Sequence, residues 1–141
     1  MIVADANVVA ELVLPGDGSA LAEQLQRVDP VWVAPPLVLS ELRSVMSKLV
    51  RTRRQTSAQA MELFELAVQA LDAVTFEPDA RRVLDLVAAS GCSSYDCEYV
   101  AVAEELGCPL TTFDREVLRA FPAIAAHPRE MITRRQGPGT P

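Results

Sequence analysis

Four carboxylates occupy positions where an acidic side chain disfavours folding unless a cation or a hydrogen-bond donor compensates its charge. Asp5 follows an apolar run at the start of the chain, and Asp114 follows another near its end. Glu41 lies at the edge of the apolar arc of a predicted helix, and Asp96 falls in the first turn of another. Oxygen ligands favour Mg²⁺ or Mn²⁺ over zinc. Because like charges held close together repel unless a cation compensates them, the four acids predict one divalent-metal site.

Each acid also has a simpler structural interpretation. Asp5 or Asn7, and likewise Asp114, would cap the helices that follow them. Glu41 would pair with an arginine, and an acid such as Asp96 is favoured by the helix dipole in a first turn. Four such positions from distant parts of the chain favour one cluster over four coincidences.

The supply of other catalytic side chains points to metal-assisted chemistry. His127 is the only histidine, and its proline-flanked position predicts a surface residue, so no Ser-His-Asp triad or histidine pair is available. Cys92, Cys97 and Cys108 form no C-x-x-C pair and have no neighbouring histidine, which predicts reduced, mostly buried thiols.

Short apolar segments alternate with amphipathic ones along the chain. Strands are predicted at 2–4, 31–34, 73–76 and 109–113 with a weaker run at 123–125, and helices at 8–14, 18–28, 37–51, 56–71, 79–90, 95–106 and 115–120. This alternation predicts an α/β fold with a parallel sheet covered by helices on both faces. Ligands of such sheets collect beyond the carboxyl ends of the strands, where Asp5 and Asp114 are expected.

Length and composition indicate one cytosolic domain. The 141 residues carry a formal net charge of −6, which argues against a surface adapted throughout to polyanions. No segment has the length and hydrophobicity of a membrane span, and the N-terminus lacks a basic targeting region. We expect a domain over residues 1–132, a disordered tail over 133–141 and a cytoplasmic location.

A local group of basic residues interrupts the acidic background. Lys48, Arg51, Arg53 and Arg54 follow Glu41 in the same predicted helix or just after it. Helical spacing places Lys48 and Arg51 on the same side as Glu41, so an RNA backbone could pass from the metal to these cations. An ordinary solvated helix face explains the pattern equally well.

At this point the sequence resembles a known family, the PIN-domain ribonucleases, and in particular the VapC-type toxins of bacterial toxin–antitoxin pairs. The resemblance extends to about Ile132, and its motifs are specific in combination. They are Ile2-Val3-Ala4-Asp5-Ala6-Asn7, Leu39-Ser40-Glu41, Ser94-Tyr95-Asp96-Cys97-Glu98-Tyr99-Val100-Ala101-Val102-Ala103 and Leu110-Thr111-Thr112-Phe113-Asp114.

The resemblance implies a PIN-like three-layer fold with a parallel sheet of about five strands, and an endoribonuclease that requires Mg²⁺ or Mn²⁺. It also implies a homodimer and a small antitoxin partner that inserts into the acidic groove. The metal site would comprise the four acids, with two polar residues in support. The acids are Asp5, Glu41, Asp96 and Asp114, and the supporting residues are Asn7 and Thr112.

Three other functions stay open at this point. A PIN nuclease of RNA processing would share the same acids with a toxin. A phosphotransfer or phosphatase domain would need a second acid where Asn7 stands and a lysine near the phosphate, but Lys48 is the only lysine. A catalytically inactive interaction module would be expected to lack at least one of the four acids.

Overall fold

A computed structural model describes residues 1–137 as an α/β fold of short strands and longer helices. The strands are β1 (Ile2–Ala4), β2 (Trp32–Val33), β3 (Leu110–Thr111) and β4 (Ala125–Ala126). The helices are α1 (Ala6–Glu11), α2 (Ser19–Val28), α3 (Leu37–Arg51), α4 (Ser57–Gln69), α5 (Ala80–Ser90), α6 (Ser94–Leu106), α7 (Arg115–Ala120) and α8 (Pro128–Gln136). The predicted alternation of strands and helices is confirmed.

The strands form one parallel sheet in the order β2-β1-β3-β4. Every strand residue is buried, as expected when helices cover both faces of a parallel sheet. Helix α6 packs on β1 and β3 and buries Cys97 and Tyr99 together with the run 100–103. The predicted helix-flanked α/β fold is therefore confirmed, with α6 in its core.

The sheet has four strands in the described part of the chain, where about five were expected. The predicted strand at 73–76 contributes a single bridge, from Ala73 to Val33. The carbonyl of Ala73 accepts the N–H of Ala34 at 3.1 Å. The two residues after Ala34 are prolines, which have no N–H to continue the ladder. The edge strand β2 therefore cannot pair with the rest of this segment.

Local sequence signals set several helix ends. Thr56 and Gln59 form the predicted capping box at the start of α4, with both reciprocal hydrogen bonds present. Helices α5 and α6 end at Gly91 and Gly107, whose φ values of 74° and 62° lie in the left-handed region that favours glycine. These predictions from short motifs are confirmed.

The prediction of disorder from residue 133 onward is wrong for 133–136, which complete helix α8. Helix α8 buries apolar residues and packs against α2. Near its end the Arg135 guanidinium pairs with the buried carboxylate of Asp29 at 2.6 Å. Tertiary contacts thus order a segment whose polar composition suggested disorder. The rest of the predicted tail, residues 138–141, lies outside the described residues.

The three cysteines are free thiols, as predicted. Cys92 and Cys97 are buried, and Cys108 is partly buried. Burial raises the pKa of the Cys97 and Cys108 thiols, so both stay protonated and unreactive at neutral pH.

Candidate active site

The four predicted acids come from four different elements but lie at one edge of the sheet. Asp5 directly follows β1, and Asp114 follows β3, its parallel neighbour. Glu41 comes from the second turn of α3 and Asp96 from the first turn of α6. The negative charges of Asp96 and Asp114 act on Asp5, and those of Asp5 and Asp96 act on Glu41. The fold therefore brings all four acids into one electrostatic neighbourhood.

Asp5 is the most deeply enclosed member of this acid cluster. Its Oδ2 accepts hydrogen bonds from the Thr112 hydroxyl at 2.7 Å and from the Asn7 amide at 3.2 Å. Burial raises the pKa of Asp5, the charges of Asp96 and Asp114 raise it further, and the hydrogen bonds from Thr112 and Asn7 lower it. The protein holds this carboxylate in a fixed orientation while its charge is only partly compensated.

Asn7 and Thr112 join the ends of β1 and β3 through one hydrogen-bond network. The Asn7 amide donates to Thr112 Oγ1 at 3.2 Å and accepts the backbone N–H of Phe113 at 3.2 Å. Thr112 Oγ1 also accepts the backbone N–H of Asp114 at 2.9 Å. Both residues stand next to Asp5, where their expected supporting role requires them.

Glu41 obtains the donor that its half-buried position requires from a tyrosine. The Tyr99 hydroxyl donates a short hydrogen bond to Glu41 Oε2. Burial raises the pKa of Glu41, the Tyr99 bond lowers it, and the charges of Asp5 and Asp96 raise it. The partner of Glu41 is therefore Tyr99 and not the arginine considered from the sequence. The pKa of Tyr99 is itself raised by burial and by the charge of Glu41.

Tyr99 was not singled out from the sequence, although two signals point to it. It follows Asp96 by three residues on α6, so the two side chains occupy the same helix face. A buried tyrosine hydroxyl also needs a hydrogen-bond partner. Glu98, also on α6, is partly buried, and its negative charge further raises the pKa of Glu41.

Asp96 and Asp114 also make hydrogen bonds at the N-terminal ends of helices α6 and α7. The Ser93 hydroxyl donates to Asp96 Oδ2 at 2.8 Å and accepts the Asp96 backbone N–H at 3.1 Å. Asp114 Oδ1 accepts the backbone N–H groups of Glu116 and Val117 at 2.7 and 3.2 Å and so caps α7. The capping interpretation is therefore correct for Asp114, and also for Asp5, whose Oδ1 accepts the backbone N–H of Asn7 at 3.4 Å at the start of α1. In both cases capping is compatible with a position in the acid cluster.

The carboxylates are not gathered into a ready-made metal cage. Within residues 1–137, no three side chains of His, Cys, Asp or Glu have the arrangement of a metal-ligand group. The anionic, all-oxygen donor set nevertheless suits Mg²⁺ or Mn²⁺, and a cation would relieve the repulsion that raises the pKa of Asp5. The donors fit a divalent ion by their chemistry, and some side-chain rotation would be needed to enclose it.

The basic residues predicted to hold RNA lie apart from the acids. Lys48 and Arg51 are exposed in the last two turns of α3, and neither makes an ion pair with another described residue. Arg53 and Arg54 follow in the exposed turn after α3, where Arg53 has a φ of 56°. Lys48 is seven residues beyond Glu41, a rise of about 10 Å along the helix.

His127 is partly buried rather than a simple surface residue. Its Nδ1 accepts the backbone N–H of Arg129 at 3.2 Å and so caps α8. Its ring packs edge-on against Phe113 with centroids 5.2 Å apart. Burial lowers the pKa of His127, followed in effect by the charge of Arg129, so the ring is neutral at pH 7.

Comparison with protein families identifies a match to the model described as PIN domain, over residues 2–123. This range contains all four acids and both supporting residues. No helix in the described part of the chain has the length and apolar character needed to cross a membrane.

Two proteins from Pyrobaculum aerophilum are similar to this chain. Ribonuclease VapC3 is 29% identical over 127 residues, which cover 87% of this chain and 96% of that protein. The crystal structure of PAE2754 superimposes with a TM-score of 0.76 and 22% sequence identity, covering 95% of this chain and 88% of that one. The structural match shows that the two proteins share this fold over nearly the whole of this chain.

Proposed function

The chain belongs to the PIN-domain family, and on that premise we propose that it is an endoribonuclease that requires Mg²⁺ or Mn²⁺. The similarity to ribonuclease VapC3 supports RNA as the substrate. The observation that carries the proposal is the partly buried Asp5, whose pKa is raised by burial and by the charges of two other carboxylates at the same sheet edge. Such a site is stabilised by a divalent cation.

In this function Asp5, Glu41, Asp96 and Asp114 would hold the metal. A bound divalent ion supplies charge compensation for the phosphodiester and lowers the pKa of a water nucleophile. The residues around the ligands set their orientation. The Thr112 hydroxyl fixes the Asp5 carboxylate, and the Tyr99 hydroxyl fixes that of Glu41. Such hydrogen bonds from the surroundings orient metal ligands and tune their basicity.

The test is RNA cleavage by the purified protein with and without divalent cations. We expect cleavage in Mg²⁺ or Mn²⁺, none after thorough chelation with EDTA, and a loss of about 100-fold or more in Asp5→Asn, as when a key electrostatic group is removed. Asp85→Asn, an exposed acid on α5, is the matched control and should retain full activity. Cleavage that survives chelation, or an Asp5→Asn variant as active as the parent, would refute the proposal.

We further propose that the protein is the toxin of a VapBC-type pair, that it forms a homodimer, and that a small antitoxin binds over the acidic groove. The similarity to ribonuclease VapC3 over most of both chains supports this role. A short DNA-binding protein encoded just upstream, whose co-expression abolishes cleavage, is the expected result. Its absence would favour a PIN nuclease of RNA processing. Light scattering at tens of micromolar should give the mass of a dimer, and a monomer would contradict self-association.

A further inference from the structure

A cleft opens beside the acid cluster, where α1 and the loop after it face the end of β3 and the start of α8. Its volume is about 370 Å³, and its walls include Asn7, Glu11, Phe113, His127 and Arg129. This size lies within the range of small-ligand sites. Asn7 belongs both to this wall and to the network around Asp5. The cleft therefore adjoins the proposed reaction centre.

Glu11 is the unusual member of this wall. It lies four residues after Asn7 on α1, so the two side chains share a helix face. Glu11 Oε2 is buried and has no hydrogen-bond partner among the described residues. A buried carboxylate oxygen without a donor costs free energy, which the side chain would recover by turning into the cleft toward a ligand that supplies donors.

The loop after α1 packs closely against this carboxylate. A Cβ added at Gly18 would lie 2.8 Å from the Glu11 carboxyl carbon and Oε2, and one added at Gly16 would lie 3.2 Å from Oε2. Only glycines allow the backbone to come this close to the carboxylate. The two glycines therefore leave the space that the Glu11 carboxylate occupies, and its buried oxygen has no hydrogen-bond partner there among the described residues.

The opposite wall combines an aromatic pair with a cation. Phe113 and His127 meet edge-on, with their ring planes at 79°. Since His127 Nδ1 accepts a hydrogen bond, the neutral ring carries its proton on Nε2. Arg129 is exposed at the cleft. Aromatic rings stack on unpaired RNA bases, and arginine binds phosphate through charge-assisted hydrogen bonds.

We propose that this cleft binds a guanine base next to the scissile phosphate, an inference that rests on the proposed ribonuclease function. The Watson–Crick edge of guanine presents two adjacent donors, N1–H and N2–H, whereas the other three bases place an acceptor beside each donor. The Glu11 carboxylate accepts hydrogen bonds and donates none. Phe113 supplies the stacking surface, and Arg129 supplies a contact for the neighbouring phosphate.

The binding test uses GMP, AMP, CMP and UMP, titrated separately onto the metal-free protein and followed by NMR. We expect GMP to bind about tenfold more tightly than the others, the ratio that one charge-assisted hydrogen bond gives. Glu11→Gln should abolish the preference because a carboxamide places a donor against guanine. The matched control, Glu23→Gln on the exposed side of α2, should keep it. Gly18→Ala should also weaken the preference by displacing the carboxylate, and it leaves the charge unchanged.

A second test maps cleavage sites on a randomised single-stranded RNA in Mg²⁺. We expect cuts to be enriched next to guanine in the parent and in Glu23→Gln, and the enrichment to disappear in Glu11→Gln. Equal affinity for all four nucleotides, or a preference that survives in both Glu11→Gln and Gly18→Ala, overturns the proposal. Guanine-selective binding without a cleavage bias overturns the assignment to RNA and leaves a site for a free guanine nucleotide. Absence of any cleavage refutes the ribonuclease function, and the titration then decides the guanine selectivity separately.

Discussion

At the scale of single residues, the hydrogen bond between Tyr99 and Glu41 shows how the fold favours the charged form of an acid in a half-buried position. Burial and three neighbouring carboxylates raise the pKa of Glu41, and the Tyr99 hydroxyl opposes them. Because the donor stabilises the charged form, Tyr99 favours the ionised Glu41 that the proposed metal-ligand role requires. Tyr99 is in this sense a positioning residue.

Tyr99→Phe should therefore impair the site without removing a ligand. We expect the pKa of Glu41 to rise further, Mn²⁺ to bind several-fold more weakly near pH 6, and the protein to lose about 1–2 kcal/mol of unfolding free energy. Calorimetric Mn²⁺ titration and urea unfolding measure these effects. Tyr95→Phe removes the same hydroxyl from an exposed position on the same helix and should change neither quantity. If the two variants behave alike, Tyr99 has no role in positioning Glu41.

At the scale of secondary-structure elements, α3 carries both an acid of the cluster and the exposed cations. Glu41 lies near its start, and Lys48 and Arg51 lie near its end. The cations are free of ion pairs with the described residues, so they are available to a polyanion. An RNA strand bound at the acids could follow this helix.

Replacing Lys48 and Arg51 together by alanine should weaken RNA binding while leaving the fold and Mn²⁺ affinity intact. Each phosphate contact on a single strand contributes roughly 0.7 to the slope of log affinity against log salt, so the slope should flatten by about 1.4. RNA titrations on the Asp5→Asn background at several salt concentrations measure it. A double variant at Arg27 and Arg81, two exposed arginines on other helices, is the control. An unchanged slope would mean that Lys48 and Arg51 are ordinary surface residues.

Helix α8 depends on an ion-pair cluster at its end. The buried carboxylate of Asp29 contacts the Arg135 guanidinium at 2.6 Å and the Met1 ammonium at 2.8 Å. Among residues 1–137, the neighbouring Arg134 pairs only with Glu130, on the surface of the same helix. These two arginines therefore offer a direct comparison of a buried and an exposed ion pair.

Arg135→Ala should lower the unfolding free energy by about 1–3 kcal/mol, because it leaves a buried carboxylate with one cation instead of two. Arg134→Ala should cost less than about 0.5 kcal/mol, as exposed pairs of this type do. Urea unfolding of both variants measures the difference. Equal and small effects would show that Asp29 does not anchor α8 to the body of the domain.

At the scale of the whole molecule, the raised pKa values in the acid cluster make the stability of the metal-free protein depend on pH. Burial, above all, raises the folded-state pKa of Asp5 and Glu41 over the ordinary carboxyl value. The metal-free folded protein thus binds these protons more tightly than the unfolded chain does. Its unfolding free energy falls as the pH rises from the ordinary carboxyl pKa through the raised values.

Asp5→Asn should therefore flatten this fall and make the metal-free protein more stable than the parent at pH 7, with the difference shrinking toward pH 4. Mg²⁺ should stabilise the parent through binding to the folded state and have little effect on the variant. Thermal unfolding over a range of pH values, with and without Mg²⁺, measures both effects. The control is Asp85→Asn, which should follow the parent. A parent whose stability rises steadily from pH 4 to 8 without metal would contradict the raised pKa values.

Most of the fold and the identity of the four acids could be predicted from the sequence, because both rest on local patterns. Helix α3 was predicted with its observed bounds, and the capping box at Thr56 was predicted correctly. Apolar runs that end in Asp5 and Asp114 placed both acids at strand ends. Periodicity, capping and strand-end position act over a few residues and can be recognised without a structure.

Tertiary structure alone decided the partners of these residues. The hydrogen-bond donor to Glu41 is Tyr99, 58 positions away in the sequence. The surroundings of the Glu11 carboxylate depend on how the loop with Gly16 and Gly18 folds back against it. The predicted fifth strand does not form because prolines follow β2, the edge strand it would have paired with. Helix α8 is anchored by the buried carboxylate of Asp29, more than 100 positions earlier in the chain. Such contacts join distant segments, and their free energy depends on burial and distance, which local sequence patterns do not specify.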